Sequence, residues 1–231
     1  MCTACTPGAT RGRYIRGVKP RELSDLRREY AAGGLDESDL ETEPVAMFRR
    51  WMHDAVAAGL HEPNAMVLST VSAEGAPASR IVLLKGIDER GFVFFTNYES
   101  RKADDLDARP RCALLFPWHP LERQVRVEGT ATRLSEHEND VYFGSRPRAS
   151  QLGAWASPQS EVIPDRSVLE ARYEEAAERF GEGDVPRPEN WGGFCVVPER
   201  VEFWQGRLGR LHDRLRYRRT PLGWAVERLA P

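Results

Sequence analysis

The fold of this chain is best predicted from residues 80–102, RIVLLKGIDERGFVFFTNYESRK. An apolar, β-branched run from Ser79 to Ile87 precedes the turn residues Asp88–Gly91, and a second apolar run extends from Phe92 to Asn97. This pattern predicts two strands joined by a tight turn. Ser100 then stands where a helix N-cap is expected. We therefore expect a β-hairpin that leads directly into a helix.

Four basic residues surround this hairpin and helix start, and they are Arg80, Lys85, Arg101 and Lys102. Cations in a first helical turn oppose the helix dipole, which disfavours them by about 0.3–1 kcal/mol each. A bound anion would reverse that effect, because free backbone N–H groups and cations would then surround it. We interpret the cluster as a candidate phosphate site. The alternative is a set of solvated charges at strand ends.

The chain has 231 residues, of which 41% are hydrophobic, and a formal net charge of -2. A charge near zero argues against general binding to nucleic acid or to a membrane surface. No apolar run reaches the roughly 18 residues that a membrane-spanning helix needs. Residues 1–22 lack the apolar segment of a secretory signal, so we expect a flexible N-terminal arm on a cytoplasmic protein. Residues 23–231 are predicted to form a single domain.

The four cysteines predict neither a metal site nor a disulfide framework. Cys2 and Cys5 form a C-x-x-C pair in the arm, but no second Cys or His pair follows at zinc spacing. Cys112 and Cys195 fall in apolar runs and are expected to be buried in strands. Because no His, Cys or carboxylate cluster has the spacing of metal ligands, we expect no bound metal.

Hydrophobic periodicity predicts a mixture of helices and short strands. Helices are expected at residues 23–30, 41–60, 135–144 and 167–180, and a short one begins with Ser150 as its cap. Strands are expected at residues 65–73, 111–117, 121–134, 194–204, 211–217 and 223–229. Successive short strands with tight turns predict an α+β fold with an antiparallel barrel.

Local signals refine the helices. Capping boxes are predicted at Ser135 with Glu138 and at Ser167 with Glu170. The core stripe predicted for the helix at 41–60 is Phe48, Trp51, Met52, Ala55 and Val56. An apolar stripe of this kind is the usual signature of a helix that packs one face against a core.

A second basic region lies near the C-terminus, where Arg210, His212, Arg214 and Arg216 alternate with other residues. If these residues form a strand, a period of two places all four on one face. Neighbouring cations should favour the neutral form of His212, which could orient a substrate hydroxyl or amine. The alternative is a charged, solvated edge strand. Two basic centres would suit a phosphorylated cofactor and a phosphorylated substrate.

Several longer runs have a recognisable order. They are LRREY (26–30), RIVLLK (80–85), TNYESRKA (96–103), LLFPWHPLERQVRVEG (114–129), YFGSRPRASQLGAWAS (142–157), WGGF (191–194) and EFWQGRLGRLHDR (202–214). Together they closely resemble the pyridoxamine/pyridoxine 5'-phosphate oxidase family, from about residue 23 to Pro231. Because several long motifs occur in the family's order, the resemblance is specific.

The resemblance implies an antiparallel Greek-key split β-barrel that binds FMN and is flanked by helices. It also implies a homodimer with FMN at the subunit interface. The implied reaction oxidises pyridoxamine or pyridoxine 5'-phosphate to pyridoxal 5'-phosphate. O2 would be the acceptor, H2O2 would form, and the amine substrate would release ammonia.

The resemblance further implies site residues, position by position. Those that match the family's FMN ligands are Arg80, Ile81, Val82, Leu83, Leu84, Lys85, Phe95, Thr96, Arg101, Lys102, Gln124, Gln159, Ser160, Trp204 and Arg214. Those that match its substrate ligands are Lys85, Tyr142, Arg146, Ser150, Arg210, Leu211 and His212, with Arg27, Arg28, Glu29 and Tyr30 on a segment implied to close over the site. Arg210 and His212 would orient the substrate ring, and no protein nucleophile is expected.

The chain departs from the family pattern at two places. Phe95 stands where many members have Tyr, and Arg207-Leu208-Gly209 differ from a more Gly-rich loop. Two alternatives to the oxidase remain open. One is a split-barrel flavin or deazaflavin reductase, which would lack the combined phosphate-binding and Arg210/His212 set. The other is a non-catalytic carrier of FMN or pyridoxal phosphate.

Overall fold

The computed structural model describes Tyr30 and residues 33–231. The predicted flexible arm at 1–22, Cys2 and Cys5 lie outside the described residues. The same is true of Arg27, Arg28 and Glu29 and of the helix predicted at 23–30, apart from Tyr30, which has no regular secondary structure.

Helices and strands alternate along the described chain. The helices are α1 (Pro44–Ala57), α2 (Arg101–Ala108), α3 (Glu136–Gly144), α4 (Arg148–Ala156) and α5 (Ser167–Phe180). The strands are β1 (Ala65–Val71), β2 (Pro77–Leu83), β3 (Gly86–Ile87), β4 (Phe92–Asn97), β5 (Arg111–Trp118), β6 (Arg123–Arg133), β7 (Trp191–Gln205), β8 (Asp213–Thr220) and β9 (Gly223–Arg228). Short 3₁₀ turns occupy Glu37–Asp39, His119–Leu121 and Leu208–Arg210.

The described strands form one antiparallel nine-stranded sheet in the order β2-β1-β5-β6-β7-β4-β3, with β8 and β9 added beside β7. The long strand β7 pairs with β6 along one side. On its other side it pairs first with β4 and then with β8. One strand thus serves two partners in succession, and the sheet curls. The antiparallel α+β class predicted from the sequence is confirmed.

The opening hairpin differs from its prediction in an informative way. The expected strand at 79–87 is split in two, because β2 pairs with β1 and only Gly86 and Ile87 pair with β4. At the break, Leu84 is buried and donates its backbone N–H to Asn64 O, whereas Lys85 donates to Val93 O. Since β2 and β3 stand at opposite ends of the strand order, these two residues carry the chain from one edge of the curled sheet to the other.

The core lies inside the curled sheet and under α1. The Phe48 ring packs against Phe92, Phe116 and Trp118, with ring centroids 4.7–5.7 Å apart. Trp51 and Ala55 are buried as predicted, but Val56 is 59% exposed, so its place in the core stripe was wrong. The reason is geometric, since consecutive helical residues are about 100° apart and Val56 follows the buried Ala55.

The cysteines and helix caps test further predictions. Cys112 and Cys195 are free and buried in strands, as expected. Ser135 and Glu138 form the predicted capping box. The box at Ser167 was wrong, because its hydroxyl donates to Asp165 while Glu170 accepts from Arg166. The cap predicted at Ser150 was wrong, because Ser150 lies inside α4. Ser100 is the N-cap residue of α2 as predicted, but its hydroxyl donates to Asn97 O and makes no capping hydrogen bond.

Candidate active site

An open cleft of about 920 Å³ lies beside the passage from β2 to β3, between β2, β4, the start of α2, and α3 with α4. It brings together many residues that the sequence marked as ligands. These are Ile81, Val82, Leu83, Lys85, Phe95, Thr96, Lys102, Tyr142, Arg146, Ser150 and Gln159. It also contains residues for which no role was predicted, and these are Asn97, Ser145, Pro147, Gly153, Ala154, Ser157 and Trp191. The fold thus joins positions up to 110 residues apart in one cleft.

Lys102 is the buried cation of this cleft, with 9% of its surface exposed. Its Nζ donates to Thr96 Oγ1 at 3.0 Å, Ser100 Oγ at 2.9 Å and Gln159 Oε1 at 2.7 Å. Burial, together with the nearby charge of Arg80, lowers the pKa of Lys102 to about 8. Within residues 33–231, no carboxylate pairs with this ammonium. A buried charge held only by neutral oxygens is suited to an anion.

The other predicted cations of this centre are placed differently. Arg80 lies close to Lys102, but its guanidinium donates to Thr70 Oγ1 at 2.6 Å and is 3.7 Å from the Asp105 carboxylate. Burial lowers the pKa of Arg80, and Arg101 on the exposed side of α2 acts in the same direction. These contacts tie α2 to β1, so Arg80 supports the position of Lys102.

Three parallel rings form one wall of the cleft. The centroids of Phe95 and Tyr142 are 3.8 Å apart with the ring planes at 10°, and those of Phe95 and Trp191 are 5.4 Å apart at 7°. Gly193 makes this stack possible, because a Cβ at that position would lie 2.8 Å from the Phe95 ring. Burial raises the pKa of Tyr142. A flat aromatic wall of this kind suits a planar ligand.

Arg146 provides another cation of the cleft, in the turn that follows α3. Its guanidinium lies 4.5 Å from the centre of the Trp191 ring. Its Nη1 is buried and has no hydrogen-bond partner among the described residues. Burial lowers the pKa of Arg146. Because buried N–H groups are nearly always paired, an unpaired one in a cleft indicates a place for an acceptor from a ligand.

A second group of predicted residues gathers around His212, away from this cleft. The His212 ring is 4.6 Å from Trp204 and 5.5 Å from Tyr30, measured between centroids. Gln124, Trp204 and Arg214 lie opposite one another on β6, β7 and β8. Arg214 donates to Glu202 at 2.8 Å, and this pairing raises its pKa.

The predicted residues therefore fall into two groups in the part of the chain that the structure describes. None of the His212 group, including Arg210 and Leu211, lines the cleft described above. Of the remaining predicted ligands, Leu84 is in the core and Ser160 is exposed beside Gln159.

The segment 207–212 corrects another prediction. Arg210 and His212 do not share a strand face with Arg214 and Arg216, because β8 begins only at Asp213. Gly209 and Arg210 both have a left-handed backbone, with φ of 62° and 61°. A left-handed backbone is unfavourable for a non-glycine residue and ends the extended period of two. The sequence predicted a strand here because alternation alone cannot reveal such a turn.

His212 has a defined proton arrangement. Its Nδ1 accepts a hydrogen bond from the backbone N–H of Arg207 at 3.1 Å. The neutral ring therefore carries its proton on Nε2 and can donate from that atom. Burial and then the charge of Arg210 lower the pKa of His212. The neutral form expected from the sequence agrees with this direction, although burial is the larger cause.

These donors can be matched to classes of ligand. The described residues contain no group of three His, Cys, Asp or Glu side chains that could hold a metal ion. They also include no helix long and apolar enough to cross a membrane. The cleft instead offers the buried ammonium of Lys102, the half-buried guanidinium of Arg146, hydroxyl groups and a flat aromatic wall. This set fits a planar ring that carries a phosphate, such as FMN.

A curled antiparallel sheet with helices around an open cleft defines the class of split-barrel proteins. PhzG from Burkholderia lata 383, solved with tetrahydrophenazine-1-carboxylic acid, matches with a TM-score of 0.82 and 32% identity, over 87% of this chain and 99% of its own. A pyridoxamine 5'-phosphate oxidase-related, FMN-binding protein from Nostoc punctiforme PCC 73102 matches with a TM-score of 0.65, 19% identity and coverages of 86% and 100%. The second likeness concerns the fold alone.

Sequence comparison identifies the family. Residues 52–180 match the family described as "Pyridoxamine 5'-phosphate oxidase", and residues 191–231 match the "Pyridoxine 5'-phosphate oxidase C-terminal dimerisation region". A pyridoxine/pyridoxamine 5'-phosphate oxidase from Nocardioides sp. is 63% identical over 91% of this chain and 98% of its own. One from Cupriavidus taiwanensis is 58% identical over 91% and 99%. The chain belongs to the pyridoxamine 5'-phosphate oxidase family and is an oxidoreductase, which confirms the resemblance seen in its motifs.

Proposed function

We propose that this protein oxidises pyridoxamine 5'-phosphate or pyridoxine 5'-phosphate to pyridoxal 5'-phosphate. FMN is the proposed cofactor and O2 the proposed acceptor, with H2O2 as a product and ammonia released from the amine. Relatives 56–63% identical carry the name of this activity. When bound, FMN would supply the acceptor for the two electrons that leave the substrate. The protein supplies binding, orientation and electrostatics.

The observation that carries this proposal is the pair of unmatched cations in one cleft. Lys102 has only neutral oxygens around its ammonium, and Arg146 has a buried N–H without a partner among the described residues. Lys102 lies in the first turn of α2, and Arg146 lies in the turn between α3 and α4. Two phosphates, one on the cofactor and one on the substrate, would give each cation an anionic partner.

At the cofactor end, Lys102 holds the phosphate by its charge. All three ammonium protons are donated to neutral oxygens in the structure, so a direct charge-assisted hydrogen bond to the phosphate would replace one of these three. Thr96 and Gln159 fix the direction of the ammonium, because both accept hydrogen bonds from it. Backbone and side chains of Ile81–Leu83 provide the adjoining wall. Arg80, Arg101 and Ser160 remain predicted ligands of the same cofactor.

At the substrate end, Arg146 binds the phosphate with Lys85, Tyr142 and Ser150, which line the same cleft. A charge-assisted hydrogen bond contributes about 1.5–3 kcal/mol, so such a set can hold a dianion. Arg210 and His212 would then orient the pyridine ring. His212 can donate from Nε2 to a substrate oxygen, because its Nδ1 is occupied by the Arg207 amide.

We propose that a homodimer unites the two groups of residues. Within the described part of one chain, Trp204, Arg210, His212 and Arg214 lie outside the cleft that contains Lys102 and Arg146. They belong to the segment that matches a dimerisation region. A partner protomer that presents this segment to the cleft would complete the site. The exposed side chain of Ile81 on the cleft-lining strand β2, 71% accessible, suits such an interface.

The proposal is tested by turnover. Purified protein is loaded with FMN and mixed in air with pyridoxine 5'-phosphate or pyridoxamine 5'-phosphate, and pyridoxal 5'-phosphate and H2O2 are followed. We expect both products with either substrate. Bound flavin without turnover would refute the oxidase and favour a carrier.

A second arm tests another substrate class. The likeness to PhzG makes a reduced tricyclic carboxylic acid the alternative substrate. A higher kcat/KM for such a compound than for the B6 phosphates would favour that reading. Oxidation of a nicotinamide cofactor with no product from either substrate class would favour a flavin reductase.

A further inference from the structure

The carboxylate of Asp213 connects three segments that are far apart in the sequence. Its Oδ2 accepts from the backbone N–H of Leu35 at 3.0 Å and lies 3.4 Å from Arg207 Nε. Its Oδ1 accepts from Arg228 Nη1 at 2.9 Å. The Asp213 side chain is only 17% exposed, so these contacts are partly shielded from water. Charge-assisted hydrogen bonds in such an environment are strong.

On one side, Asp213 fixes the segment that follows Tyr30. Leu35 is buried in the core, and Arg228 also donates to the Glu37 carboxylate at 2.7 and 2.8 Å. The Tyr30 ring meets the edges of His212 and Trp204. The chain at Gly206 leaves room for that ring, because a Cβ there would come within 2.8 Å of Tyr30 Cγ.

On the other side, Asp213 fixes the turn that carries Arg210 and His212. Arg207 is held twice, since its side chain pairs with Asp213 and its backbone N–H donates to His212 Nδ1. That second bond sets which nitrogen of His212 keeps the proton. The turn also holds two left-handed residues, Gly209 and Arg210, so its conformation depends on contacts at its ends.

We propose that Asp213 is a positioning residue, which joins the Leu35 segment to the 207–212 turn and thereby holds the Tyr30 and His212 rings together. It touches no reacting atom. It acts through Arg207 and through the backbone of Leu35. This inference rests on the proposed function for its kinetic consequence, but its structural consequence can be measured without any substrate.

The test compares three variants of the full-length protein loaded with FMN. Asp213→Ala removes all three contacts, and Asp213→Asn keeps an acceptor for the Leu35 amide but loses the charge. Glu227→Ala is the matched control, because Glu227 also bridges β8 and β9 through two arginines, Arg216 and Arg218. Among the described residues it has no hydrogen bond or ion pair with Tyr30, with residues 33–37 or with residues 207–212.

We expect Asp213→Ala to raise the KM for pyridoxine 5'-phosphate and to lower kcat/KM by about ten-fold or more, the loss expected for a shielded charged hydrogen bond. The Kd for FMN should change by less than about two-fold. Asp213→Asn should recover part of the loss, and Glu227→Ala should behave as wild type. Equal losses of flavin affinity and kcat/KM, or equal effects of the Asp213 and Glu227 variants, would overturn the proposal.

Hydrogen exchange provides the readout that needs no turnover. Asp213→Ala should speed amide exchange in peptides covering 33–37 and 206–212, while Glu227→Ala should leave both unchanged. Faster exchange in only one of the two segments would refute the coupling. If the wild type binds flavin but oxidises no B6 phosphate, the proposed function fails, and the exchange result still decides the role of Asp213.

Discussion

Lys102 offers the sharpest test of the cofactor end of the cleft. Replacement by Met keeps the length of the side chain and removes its charge. A charged hydrogen bond to phosphate contributes about 1.5–3 kcal/mol, so FMN should bind about 10-fold to 150-fold more weakly. The flavin-free protein should gain stability, because the pKa of Lys102 falls from 10.5 to about 8 on burial. That fall means that keeping the ammonium charged costs the folded protein about 3 kcal/mol at neutral pH. The Met variant avoids this cost, and its gain in stability is reduced by the loss of the three hydrogen bonds of the ammonium.

The assay is a fluorescence titration of flavin-free protein with FMN and, separately, with riboflavin, which has the same ring and no phosphate. Lys102→Met should weaken FMN and leave riboflavin nearly unchanged. Arg109→Met is the control, since Arg109 is an exposed cation just after the C-terminal end of the same helix and donates to Ala73 O. Equal loss of FMN and riboflavin affinity, or no loss of either, would refute the assignment of Lys102 to the phosphate.

Two further predictions concern charge in the same cleft. Arg146→Gln should raise the KM for pyridoxine 5'-phosphate by about ten-fold or more and leave flavin affinity unchanged, because the unpaired Nη1 of Arg146 is assigned to the substrate phosphate. Steady-state kinetics measure this change, and an unchanged KM would contradict the assignment. The flavin-free protein should become more stable as pH rises from about 8 to 10.5, since the unfolded chain then binds more protons at Lys102 than the folded chain. Denaturant unfolding of wild type and Lys102→Met measures this gain as the difference between them, and parallel pH profiles would refute it.

Local pattern predicted most elements, because it reports which faces are apolar and where turns occur. Strand β4 has the predicted bounds, and the Ser135 capping box forms as expected. The pattern failed where a strand changes partner. Residues 79–87 were predicted as one strand, yet the backbone hydrogen bonds of Leu84 and Lys85 go to different neighbours. The alternation of residues within a strand does not show which distant strand it pairs with.

The candidate site was predictable to a different degree in its two halves. The motifs named the residues around Lys102 and Arg146, and the fold assembles them in one cleft. Trp191 was not predicted as a cleft residue, because an aromatic residue at the start of a strand usually belongs to the core. Its stacking on Phe95 depends on Gly193 in the same strand. The turn at 207–212 was not predicted, because Arg210 adopts a left-handed backbone conformation that its residue type disfavours.

The two failures occur beside residues of the proposed site, Lys85 and Arg210, and they have a physical reason. Passing from one edge of the sheet to the other requires a break at Leu84–Lys85, and that break places Lys85 at the cleft. Turning the chain at Gly209–Arg210 requires a left-handed backbone, and that turn carries Arg210 beside the Arg207–His212 bond. In both places local preference gives way to a tertiary constraint, as is expected where a protein retains strain for function. Lys102 follows the same logic, since a buried ammonium with only neutral partners opposes folding, and the phosphate that we propose it binds would supply its missing anionic partner.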